Sequence, residues 1–234
     1  LERLLVHDFD VRHRESFGIK GGLHSDFIAR NCIIYNGGTA GIVTRWKNSK
    51  AAVENCTIFG IKGKGVDERH GLGSAVNTIS MGNREDFAIR RGTQSHNISS
   101  DRTATGDGSM AFLKPIDQFV SIDPGAEDLH LLDTSGAVDT GMNLAAVPAP
   151  VNSLARTTVA PATDDGLIDI DGTDRAEEDA WDIGADEVES PPEGVWYVDP
   201  AKAGDGTSWK TAFATIQQAV DRAPDGEQVW VKEG

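Results

Sequence analysis

Two cation-plus-ring pairs recur 24 residues apart: Arg45-Trp46, followed by Lys47, and Arg69-His70. With a repeat of that step, Arg45 stands over Arg69 and Trp46 over His70. The columns then read Gly22, Arg45, Arg69, Gly92 and Leu23, Trp46, His70, Thr93. An aromatic face among cations suits an acidic sugar chain, which stacks on the ring and takes charge-assisted hydrogen bonds at its carboxylates. Lys47, His24, Arg90 and Arg91 stand beside the columns, and Glu68 is the acid placed to offset repulsion between the stacked arginines. A lyase would also need a base for the proton beside the uronate carboxyl, and no catalytic residue stands out for that role. The plainer alternative is that Arg and Lys decorate a solvated turn while Trp46 closes a corner.

A second cluster, Asp164, Asp165, Asp169, Asp171 and Asp174, invites calcium, which takes about six to eight oxygen ligands in a flexible loop. The spacing is not that of an EF-hand, and turn-capping by Asp is the simpler account. The sequence shows no Ser/His/Asp arrangement, phosphate loop or metal-ligand Cys/His spacing. The expectation is therefore no metal and no cofactor, with calcium at this cluster the one reading left open.

These residues must be held by elements, and residues 5–90 indicate which. Phe9, Cys32, Cys56 and Ile79 recur at steps of 23, 24 and 23 residues. The sets Val11, Ile34, Ile58, Met81; Val6, Ala29, Val53, Val76; and Ile19, Ile42, Val66, Ile89 share that register. A period in the twenties marks a repeat architecture. Alternation within each unit marks strands, and glycine clusters between the units mark corners. Short strands, glycine corners and no leucine ladder predict an all-β, right-handed parallel β-helix, with a β-sandwich as the competing fold. In this register Cys32 and Cys56 are inward neighbours flanked by Phe9 and Ile79, expected as two buried thiols. Asn31, Asn55 and Thr57 are expected to face outward.

The net charge of −15 is uneven: residues 1–100 carry 14 Lys and Arg against 10 Asp and Glu, and residues 101–234 carry 8 against 27. Such a chain lacks the strong basic face that a nucleic-acid partner requires. It also has no apolar run long enough to span a membrane. Two cysteines do not make a disulfide framework.

Further along stand Asn97-Ile98-Ser99-Ser100-Asp101, Asp128-Leu129-His130-Leu131 and Ser135-Gly136-Ala137-Val138-Asp139. Asp169-Ile170-Asp171-Gly172 and Asp182-Ile183-Gly184-Ala185-Asp186-Glu187 follow. In that order they resemble the end of secreted bacterial right-handed β-helix repeat proteins of the choice-of-anchor Q type, within the pectin-lyase-like fold. The likeness covers roughly residues 5–190. It implies an extracellular or cell-surface location but no activity, since that fold hosts lyases, hydrolases, epimerases and adhesins. Gly136 and Asp174 stand where a proline is usual, which loosens those turns.

The expected organisation is coils over 1–100, a C-terminal strand region of the same β-helix over 101–189, a linker over 190–195, and a new start over 196–234. In that last stretch Thr215-Ile216-Gln217-Gln218 is a capping box, and Ile216, Ala219, Val220 and Ala223 share a helical face. Flanking strands at Trp196-Tyr197-Val198 and Gln228-Val229-Trp230-Val231 complete the likeness to an N-terminal cap of a second β-helix. The chain thus reads as a piece of a longer tandem protein. Two function classes remain open. One is a non-catalytic glycan-binding or structural module with an acidic polysaccharide as partner. The other is a lyase on uronate-containing polysaccharide.

Overall fold

The structure is a computed structural model that describes residues 1–9, 15–47, 49–144, 168–175, 181–188, 194–207 and 211–232. The chain divides into two compact units, Leu1–Val188 and Glu189–Gly234. The first is a parallel β-helix of about four coils. Its first coil holds β1 (Leu5–His7), β2 (Phe17–Gly21) and β3 (Asp26–Arg30), and the second β4 (Ile33–Tyr35), β5 (Ala40–Thr44) and β6 (Lys50–Glu54). The third holds β7 (Thr57–Phe59), β8 (Lys64–Glu68) and β9 (Leu72–Val76). The fourth holds β10 (Ile79–Met81), β11 (Glu85–Ile89) and β12 (Thr93–Ser95), and β13 (Ile98–Ser99) begins the next pass. Stacking gives three parallel sheets: β1-β4-β7-β10-β13, β2-β5-β8-β11 and β3-β6-β9-β12.

The corners explain why so short a strand can repeat. Every coil enters the first sheet through a left-handed residue, at Arg3, Asn31, Asn55, Asn77 and His96. It leaves through another, at Asp8, Asn36, Gly60 and Gly82. Asn and Gly tolerate that conformation best, and the Asn amide can replace lost backbone bonds. Asn31, Asn55 and Asn77 are buried, Asn31 and Asn77 donating to Ile168 O and Met142 O outside the coils, and Asn77 Nδ2 also donates to Asn55 Oδ1 at 3.0 Å. In the second sheet Gly18 and Gly41 mark an inward kink. A Cβ there would lie 2.8 Å from the next coil's carbonyl oxygen, at Gly41 and Gly65 respectively.

Inside, Ile19, Ile42, Val66 and Phe87 form one ladder, Ala29, Val53 and Ala75 another, and Ile34 over Ile58 a third. Each large aliphatic side chain so buried contributes roughly 1.5–3 kcal/mol relative to exposure. The constant period does not hold. Measured through the first sheet, the coil shortens from 28 residues (Val6 to Ile34) to 24 (to Ile58), 22 (to Ser80) and 19 (to Ser99). Val6 therefore takes the place expected of Val11, which lies outside the described residues. Ser80, Ala75 and Phe87 replace Met81, Val76 and Ile89 in their ladders. A one-residue slip turns a strand's side chains to the opposite face. Ile79 and Met81 are thus buried on the outside of the first sheet. Cys32 and Cys56 are buried free thiols on adjacent coils. Their column continues to Leu4 and Thr78, not Phe9 and Ile79, as the bonds from Ile33 N to Leu4 O and from Ile79 N to Cys56 O show.

The described residues of 110–144 and 181–188 supply the cover that makes those outward apolar residues tenable. Phe119, Leu129 and Leu131, from the antiparallel pair β14 (Phe119–Ser121) and β15 (Asp128–Leu131), pack with Ile183 and Ala185 on Ile33, Ile79, Met81 and Ile98. Main-chain bonds lock the cover down, from Gly184 N to Asn77 O and from Ala185 N to Thr57 Oγ1, both at 3.0 Å. Buried Arg175 pairs with buried Glu187 and donates to Gly184 O, while its guanidinium lies 6.0 Å from the Trp181 ring. The Asp182–Glu187 motif is thus a fastener over the first sheet.

In the second unit β16 (Val195–Val198) pairs in parallel with β17 (Gln228–Val231), and α1 (Ile216–Arg222) lies between them in sequence. The capping box forms as expected, between Thr215 and Gln218. The apolar face does not fill as expected: Ala219 packs with Val198 and Phe213, whereas Ile216 and Val220 are exposed. Among the described residues no helix is long and apolar enough to cross a membrane.

Candidate functional site

The pairing of Val43 with Asp67 and of Ile89 with Glu68 carries the second sheet into its outer corner. Arg45 and Arg69 follow there one coil apart, and Arg90, not Gly92, follows Arg69. Arg45 and Arg69 each have their own carboxylate. Arg45 Nη1 lies 2.6 Å from Glu15 Oε1, with its guanidinium 4.7 Å above the Phe17 ring. Arg69 grips Asp67 through two bonds of 2.6 and 2.8 Å. Trp46 is 47 % exposed beside exposed Lys47, and Leu23 and His70 are exposed as well.

Glu68 does not serve as the patch's counter-ion. It turns into the coil, fully buried, with one carboxyl oxygen bonded by the Thr44 hydroxyl and the other without a partner. Burial pushes its pKa up to about 8. The strand alternation decides this: Asp67 faces out to Arg69, so Glu68 must face in.

The cationic surface extends further than the corner. Lys64, paired with Glu85, has its pKa lowered first by burial and then by the charges of Arg69, Arg90 and Arg84. Lys64 thus sits in the field of three arginines, with Asp67 and Glu85 the carboxylates paired to Arg69 and to Lys64 itself. Lys20, 5.1 Å from the Phe17 ring, lies on the same sheet.

Of the five aspartates considered for calcium, Asp164 and Asp165 lie outside the described residues. Asp169 caps its own turn: Oδ1 accepts from the N–H groups of Asp171, Gly172 and Thr173 at 2.9, 2.7 and 2.7 Å, and Oδ2 from Glu187 N at 3.0 Å. Asp174 closes the bridge to Ile168. Asp171 turns elsewhere, with Oδ2 2.8 Å from His130 Nε2.

That contact belongs to a constellation the sequence reading missed. His130 Nδ1 is bonded to Asp128, and Asp186, buried beside them, accepts from Leu131 N through Oδ2 at 2.7 Å. Burial opposes a charged His130, but the Asp128 bond and the charges of Asp186 and Asp171 raise its pKa. Burial likewise raises Asp186. The residue types were visible in Asp128-Leu129-His130 and Asp182–Glu187. Their meeting was not, because it depends on the cover folding back over the first sheet.

No protein-family model, curated protein or solved structure matches this chain. The β-helix rests on the coils themselves.

Proposed function

We propose that the chain is an extracellular or cell-surface β-helix module whose second sheet binds an acidic polysaccharide without cleaving it. The supporting observation is that Arg69, Arg90 and Arg84 all act on Lys64, in a chain whose net charge is −15. Holding four cations together costs stability unless an anion shares the field. Exposed Trp46 and Lys47 extend the surface along the coil axis, so a linear polymer meets ring and charge in sequence. Carboxylates of a uronate chain compete with Asp67 and Glu15 for guanidinium donors that are already oriented.

The tandem reading fits the same proposal. The strand–helix–strand of the second unit serves as the cap of a further β-helix, its exposed Ile216 and Val220 being side chains such a neighbour would cover. A pectin-lyase-like ancestry also belongs with this reading. For a lyase, the patch offers exposed His70 as a base, while Glu68 is sealed away from any polymer.

Titration with a polyuronate at low and moderate salt tests the proposal. Binding should weaken as salt rises. Trp46→Ala and Arg69→Ala should each lower affinity by about tenfold with unchanged circular dichroism, as expected for loss of a charge-assisted bond or a stacking face. A parent that binds no uronate or sulfated polymer overturns the proposal. Growth of the ultraviolet absorbance of unsaturated ends would replace binding with lyase activity.

A further inference from the structure

The cluster at the edge of the C-terminal cover has the chemistry of a cation site. We propose that His130 Nε2, Asp171 and Asp186 bind one divalent transition ion of the zinc type, with Asp128 orienting the imidazole. The ligand-bearing atoms of these three residues lie within 4.8 Å of one another. They come from β15, the Asp169–Thr173 turn and the Asp182–Glu187 fastener, so the site exists only in the folded cover.

Three observations separate this cluster from a chance gathering of acids. First, the Asp128 carboxylate occupies Nδ1. With Nδ1–H held by Asp128, an ion that displaces the Nε2 proton meets the imidazole in the arrangement that carboxylate–imidazole–metal sites use. Second, Nε2 and Asp171 Oδ2 are already 2.8 Å apart. Two ligands about 2.1 Å from one tetrahedral ion stand about 3.4 Å apart, so the pair need separate by only about half an ångström. Third, Asp186 is only 7 % exposed, and among the described residues its second oxygen has no hydrogen-bond donor. A buried carboxylate with one oxygen spent on Leu131 N and the other free is suited to ligate.

The charge balance points the same way. Asp128, Asp171 and Asp186 surround a single imidazole, and Asp169 and Asp171 both act on Asp186 as like charges. Even a protonated His130 leaves this group strongly negative. An imidazole donor favours zinc, nickel or cobalt over calcium or magnesium, which prefer oxygen alone. No reaction is assigned to the ion. It would clamp three separate segments of the cover, and the clamp is independent of the polysaccharide surface on the second sheet.

The experiment uses the full chain stripped with a chelator, then titrated calorimetrically with Zn²⁺ alone and followed by thermal unfolding. The proposal expects one ion per chain with micromolar or tighter affinity and a rise in Tm of several degrees. Co²⁺ should bind with the visible absorption of an imidazole-ligated centre. His130→Gln and Asp171→Asn should abolish this binding and the Tm rise while leaving the apo circular dichroism unchanged. Asp128→Asn should weaken affinity by about 10–100-fold, as for other groups that orient a ligating imidazole. The proposal is overturned if the parent takes up neither Zn²⁺ nor Co²⁺ at millimolar concentration. It is equally overturned if uptake survives both His130→Gln and Asp171→Asn, or if Ca²⁺ alone raises Tm.

Discussion

Glu68 puts a carboxyl into an interior built mainly of Ile, Val, Ala, Cys and Phe side chains, and its protonation must follow that burial. In the fold it holds its proton up to about pH 8, against an ordinary value of 4.5. Between those values the folded chain binds the extra proton, so the stabilisation is complete below about pH 4.5 and is lost as pH rises through about 8. Asp182, raised by burial to about 6, acts in the same direction over a narrower window. Glu68→Gln keeps the shape and removes the titration. Its unfolding free energy should gain on the parent's steadily from pH 5 to 8, at up to about 1.4 kcal/mol per pH unit. A difference that stays flat over that range contradicts the buried carboxyl. The charged run Asp67-Glu68-Arg69 hid this from the sequence, because three adjacent charges look like one solvated turn. Only strand parity sends the middle one inward.

At the scale of the element, the corner residues do more than turn the chain. Asn77, at φ 49°, accepts from Met142 N at 2.8 Å and donates to Met142 O at 2.7 Å, joining the coil to its cover. Both Asn77→Gly and Asn77→Ala lose these bonds, at about 1–3 kcal/mol for buried groups left unpaired. Alanine also pays the left-handed penalty, about 1–2 kcal/mol. Urea midpoints should therefore fall in both variants and further in Asn77→Ala, and equal midpoints would contradict the corner geometry. Strand existence and coil stacking were legible in Ile34 and Ile58 or Ile19, Ile42 and Val66, where apolar residues repeat on one face. The fourth coil was not legible. Ile79 and Met81 are apolar because Phe119, Leu129, Leu131, Ile183 and Ala185 cover them, and a sequence column cannot distinguish an inward ladder from an outward face that another segment buries. The αL corners at Asn31, Asn55 and Asn77 carried the true register, in steps of 24 and 22, but Asn31 and Asn55 were read only as polar residues between ladders and Asn77 was not aligned with them.

For the whole molecule, the charge asymmetry and the two-unit division set the expectations. Limited proteolysis should first separate Leu1–Val188 from Glu189–Gly234, leaving the larger unit intact. First cuts inside the coils would contradict the division. The candidate surface was half legible: Arg45, Trp46, Lys47, Arg69 and His70 were found from their spacing. The ion pairs with Glu15 and Asp67, and the contribution of Lys64 and Arg84, needed the fold. The central claim is that the outside of the second sheet holds an acidic polysaccharide, and hydrogen-exchange mapping with a bound uronate oligosaccharide tests it most directly. Slowed exchange should concentrate in residues 44–47, 64–70 and 84–91, and should fade when salt displaces the ligand. Protection on the third sheet or in the second unit, or none anywhere at saturating oligosaccharide, would contradict the account.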